Sequence, residues 1–96
     1  MNLNLSEIKQ RLKNWHFYKA YSLSSEGGGG LEKQLNAIER AIEALDECDA
    51  VIIRMRYFDR YEVGTMAKKL CISRQAVYKR METILARIAF CLTQNG

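Results

Sequence analysis

Between Ser73 and Arg80 the chain carries two arginines, a glutamine, a tyrosine and a lysine. These side chains donate and accept hydrogen bonds in fixed geometries. Arg and Lys match the O6/N7 edge of guanine, Gln matches N6/N7 of adenine, and a carboxylate such as Glu82 accepts from cytosine N4. On a helix of about 100° per residue, Gln75, Lys79 and Glu82 share one side. Val77, Met81, Ile84 and Ile88 share the other, with Tyr78 and Arg80 on the flanks and Arg74 at the N-terminal tip. The pattern is a polar reading edge backed by an apolar packing edge.

Other residue types with chemistry in them find no partners in the sequence. His16 is the single histidine. Cys48, Cys71 and Cys91 are 23 and 20 residues apart, so no CxxC exists. That argues against a disulfide scaffold and a zinc ribbon. Each cysteine sits among apolar residues and reads as a small buried hydrophobe. Gly27–Gly30 is followed by Leu31-Glu32, without the Gly-Lys-Ser/Thr that a phosphate-cradling loop requires. No enzymatic, metal or cofactor site is expected. Trp15, Phe17, Tyr18 and Tyr21 fall at helical spacing and read as packing or dimer contacts.

The elements that must hold the 73–80 segment follow from periodicity. Leu5, Ile8, Leu12 and Trp15 step by three or four, a stripe that continues through Tyr18 toward Tyr21. The sequence predicts one helix there, starting near Ser6, and a loop over 22–30. Leu31, Leu35, Ile38, Ile42 and Leu45 form a seam of two heptads. Cys48, Val51, Ile52 and Met55 continue the apolar pattern to Tyr57-Phe58. Val63, Met66, Ala67 and Leu70 predict a short helix, with Asp59 a possible cap for an earlier start. Cys71-Ile72 makes a tight connection, Ser73 is a good N-cap, and a long helix follows with Val77, Met81, Ile84, Leu85, Ile88 and Leu92 on one face. Thr93–Gly96 reads as a fraying tail. The fold class is all-α. Residues 1–45 form an N-terminal helical hairpin, and residues 46–96 a helix-turn-helix domain.

The charge is partitioned. Residues 31–50 carry two positive and six negative side chains, and residues 51–96 carry nine positive and three negative. A basic half behind an acidic segment is a binding pattern, most often for nucleic acid. No apolar run approaches the roughly 20 residues that span a bilayer, and the N-terminus lacks the apolar stretch of a signal peptide. No membrane association and a cytoplasmic location are expected.

The stretch AVIIRMRYFDRYEVGTMAKKLCISRQAVYKRMETILARI resembles region 4 of the sigma-70 superfamily. Its marks are the IIRMRYF helix, V-x-x-M-A-x-x-L, and I-S-R-Q-A-V-Y-K-R. With a helical hairpin ahead of it, the whole chain is similar to small phage late-gene transcription regulators of the ArpU type. The resemblance implies base contacts from Arg74, Gln75, Tyr78 and Lys79. Arg60, Lys68, Ser73 and Arg80 are candidates for phosphate contact, with Arg54, Arg56, Lys69 and Arg87 behind them. Two departures stand out. Cys71 occupies the turn position where the family has Gly, which requires a positive φ. Glu62 and Gly64 stand where the family has a Ser/Thr cap and a Glu. The implied function is sequence-specific double-stranded DNA binding in transcription regulation, as a homodimer joined through the N-terminal stripes. The alternative is a sigma-like module that docks on RNA polymerase.

Overall fold

The computed structural model describes residues 3–22 and 29–94, and their regular elements are all helical, without strands. The first helix, α1 (Leu5–Lys13), opens on a capping box. Asn4 Oδ1 accepts from the Glu7 N–H at 2.8 Å, and Glu7 Oε1 accepts from the Asn4 N–H at 3.5 Å. These contacts satisfy donors that a helix start leaves orphaned. The start therefore lies at Asn4, ahead of Ser6. The stripe predicted as one helix is two. Asn14, at φ −111° and ψ 32°, breaks it, and α2 (Trp15–Ser22) follows. At the start of α1, Leu5 is exposed and Leu3 takes a place in the core.

The loop expected over 22–30 has its ends in helices: Ser22 closes α2, and Gly29 and Gly30 open α3 (Gly29–Glu43). Residues 23–28 of that loop lie outside the described residues. Helix α3 packs on α2. Lys19 Nζ meets Glu39 Oε2 at 3.3 Å, and Arg11 Nε donates to Gln34 Oε1 at 3.3 Å.

Helix α4 (Glu47–Ile53) runs into a wider π turn over Arg54–Phe58. The Asp59 N–H donates to the Arg54 carbonyl at 2.8 Å, one residue further back than an α-helix would take it. The period of 3.6 fails here, so the apolar phase differs from the sequence reading. Ala50, Ile52, Ile53 and Met55 are buried, while Cys48 and Val51 are exposed. The π turn brings Phe58 against Trp15, with ring centroids 5.2 Å apart. Asp59 closes this segment and caps no later helix; α5 (Val63–Leu70) begins after Glu62. The last helix, α6 (Arg74–Gln94), extends past the point where fraying was expected, and the Thr93 hydroxyl donates to the Ala89 carbonyl at 3.0 Å. Asn95 and Gly96 lie outside the described residues.

The buried apolar residues form one cluster that draws on every helix except α2 beyond Trp15. Leu12, Leu35, Ile38, Ile42, Ile84, Leu85, Ile88 and Leu92 are among its most enclosed members. Each such side chain contributes about 1.5–3 kcal/mol relative to exposure. The seam of α3 is thus covered by α2, α4 and α6 of the same chain. A second copy would have to meet another surface. The cysteines correct the sequence reading: Cys48 and Cys71 are exposed and Cys91 is half-buried. Cys71 lies in a turn and Cys48 on the exposed side of α4, so apolar neighbours in sequence do not bury them.

Candidate nucleic-acid interface

The connection from α5 to α6 is set by three residues. Cys71 is left-handed, at φ 58° and ψ 40°. Its N–H donates to the Lys68 carbonyl at 3.3 Å, and the Ile72 N–H donates to the Ala67 carbonyl at 3.0 Å. This is the paired bonding of a Schellman motif, with Ile72 half-buried against the core. The turn position at which a positive φ was expected therefore adopts one with a cysteine. Ser73 then starts α6, its hydroxyl accepting from the Ala76 N–H at 3.1 Å. Ala67, buried, lets α5 pack closely on α6.

Val77 is 0% exposed, and Met81, Ile84, Leu85, Ile88 and Leu92 are buried beside it, so this face of α6 points inward as its spacing predicts. Rotation then dictates the opposite face. Arg74, Gln75, Lys79, Arg80 and Glu82 are exposed, and Tyr78 is 58% exposed. Ser73 is exposed at the N-terminus of the helix, as are Lys68 and Lys69 on α5. Arg60 is exposed in the connection before α5 and has φ 59°, a left-handed conformation that costs a non-glycine residue about 1–2 kcal/mol.

Ion pairing separates the cations into two groups. Among the described residues, Arg60, Lys68, Arg74, Lys79 and Arg80 have no carboxylate within salt-bridge distance. Arg87 by contrast meets Asp49 at 3.1 Å and Asp46 at 3.9 Å. Arg56 Nη1 donates to the Tyr61 carbonyl at 3.2 Å, and Lys69 Nζ stands 5.5 Å from the Tyr61 ring centroid. Burial pushes the Tyr57 phenol above its ordinary value, with Arg56 opposing, so it remains a neutral donor near pH 7. The acidic end of α4 thus neutralises the middle of α6 and leaves its first two turns positive. No acidic residue lies in the first turn of α6. The positive end of its dipole and the Arg74 guanidinium therefore reinforce each other, an arrangement that suits an anion.

Gly64 has a role that the sequence reading missed. A Cβ at this position would lie 3.0 Å from Arg74 Nη2, so the glycine makes room for the guanidinium against α5. The available signal was a glycine in the first turn of a helix, where it costs about 1 kcal/mol relative to Ala. Among the described residues, no cluster of three His, Cys, Asp or Glu could hold a metal ion, and no helix is long and apolar enough to cross a membrane. No family model, no curated protein and no solved structure matches the chain.

Proposed function

We propose that this protein is a sequence-specific double-stranded DNA-binding transcription regulator of phage or prophage type, with α5–α6 as a helix-turn-helix and α6 as its recognition helix. The observation that carries the reading is the exposed, unpaired face of α6. Gln75 and Lys79 stand opposite Val77 and Met81, with Tyr78 on the flank and Arg74 at the N-terminal end of a helix anchored by Ser73; all four are exposed. Groove-reading helices present their first turns to base edges in this manner. In this reading Arg74, Gln75, Tyr78 and Lys79 contact bases, and Arg60, Lys68, Ser73 and Arg80 contact phosphates.

A module of this size buries limited surface on DNA, so useful specificity calls for a second copy or a partner protein. The second copy docks away from the α3 seam, which the chain itself covers. RNA polymerase docking draws less support. Of the acidic side chains of residues 31–50, Glu39, Asp46 and Asp49 face Lys19 or Arg87 of the same chain.

The test is selection of bound DNA from a random pool, followed by titration of the selected and scrambled duplexes. Gln75→Ala or Lys79→Ala is expected to lose about 1–3 kcal/mol on the selected site and little on scrambled DNA. Equal losses on both would refute base readout, and failure to enrich any sequence would refute the proposal. A palindromic motif would report two copies.

A further inference from the structure

A basic concavity lies away from the exposed face of α6. It is a groove of about 880 Å³ between α1 and the segment around the π turn. Lys9 and Lys13 of α1 line one side, and Arg56 and Arg60 line the other. These two pairs are more than 40 residues apart in the chain, so only the fold brings them together. Among the described residues, no carboxylate and no aliphatic side chain lines the groove. The rest of its lining is hydroxyl and amide, including Ser6, Gln10 and Tyr57, groups that hydrogen-bond phosphate oxygens. Among the described residues, none of the four cations forms a salt bridge.

Arg56 of the groove also touches Tyr61, in the connection to α5. The Arg56 guanidinium holds the Tyr61 carbonyl at 3.2 Å, and the Tyr61 ring lies 5.5 Å from Lys69 Nζ on α5. A positive track therefore leads from Lys9 and Lys13 through residues 56–61 to α5. A lipid surface would require apolar anchors beside the charge, and among the described residues the groove has no aliphatic side chain in its lining.

We propose that this groove is a second phosphate-binding site, which clamps the backbone of the DNA flanking the segment contacted by α6. The proposal rests on the DNA-binding reading above. It assigns to the N-terminal helix a direct share in binding, sequence-independent and strongly salt-dependent.

The decisive variant is K9Q/K13Q, which removes two exposed charges and keeps good helix formers. Binding to a random-sequence duplex of about 30 base pairs is followed by fluorescence anisotropy from about 50 to 200 mM salt. Two lost phosphate contacts make the slope of log affinity against log salt shallower by about 1.8. Over that fourfold rise in salt, the wild type then loses about 12-fold more affinity than the variant. Lys33→Gln, an exposed lysine on α3 outside the groove, is expected to leave the slope unchanged. Circular dichroism checks that each variant is folded.

A folded K9Q/K13Q with the wild-type slope would overturn the groove proposal alone if Gln75→Ala still lost specific binding. Wild-type protein that showed no salt-dependent binding to duplex DNA would overturn the groove and the DNA reading together. Binding to phosphatidylserine vesicles that required Lys9 and Lys13, with the DNA slope unchanged, would also overturn the DNA assignment of the groove.

Discussion

Val77→Asp tests the orientation of α6, on which the whole interface depends. Val77 has no exposed surface and packs where α6 meets the rest of the core. Losing the buried valine costs about 1.5–3 kcal/mol. An unpartnered polar group adds about 1–3 kcal/mol. At pH 7 the introduced carboxyl must also hold its proton to stay in an apolar site. Against an ordinary pKa near 3.9, that costs about 4 kcal/mol. Together these terms reach about 7–10 kcal/mol, comparable with the about 5–15 kcal/mol total stability of a typical domain. The variant is therefore expected to be largely unfolded at pH 7.

The sign of the pH dependence follows from the raised pKa of the introduced carboxyl. The folded state binds more protons than the unfolded state between the two pKa values, so stability falls as pH rises through that window. Relative to wild type at the same pH, Val77→Asp should recover about 3 kcal/mol between pH 7 and pH 4.5. Val77→Asn carries no titrating group, and its deficit should not change. Urea titrations followed by circular dichroism at the two pH values measure both. A Val77→Asp protein as stable as wild type, or one whose deficit matched that of Val77→Asn at both pH values, would refute the inward placement of Val77. The reading face assigned to α6 would then be misphased.

Other substitutions probe separate features. Cys71→Gly removes the left-handed cost at φ 58° but loosens the unfolded chain, for a net gain of up to about 1 kcal/mol. Cys71→Val should be less stable than wild type, and thermal melts would rank the three. Gly64→Ala gains about 1 kcal/mol of helix propensity and pushes the flexible Arg74 guanidinium aside. It should melt a few degrees higher yet bind the selected site more weakly; a lower melting temperature would mean that the guanidinium cannot move. Ile38→Glu buries a charge in the core of a single chain, since Ile38 is 0% exposed. It should unfold the protein at any concentration, whereas a folded monomer in sedimentation runs would show that the seam belongs to a dimer.

The apolar faces of α3, α5 and α6 were legible in the sequence, because a helix that packs on one side repeats its hydrophobic residues at its own period. Val77, Met81, Ile84 and Ile88 reveal where the core lies, and rotation by half a turn then exposes Gln75 and Lys79. Ser73 was legible for a similar reason, since capping is a bond between near neighbours. The π turn was not legible, because its extra residue breaks the period that the reading depends on; the exposure of Val51, in α4 ahead of it, was not legible either. Nor was the break at Asn14, nor the exposure of Leu5. The fate of the α3 seam depended on which surface would cover it, and the same stripe serves equally for a neighbour in the chain or in a second copy. Tertiary packing decided that for residues 35–42, and it also set Trp15 on Phe58 and Arg74 over Gly64. The basic groove belongs wholly to this second kind of information. Lys9 and Lys13 on one side, and Arg56 and Arg60 on the other, are ordinary surface charges in sequence, and they make one site because the fold lays α1 beside the π turn.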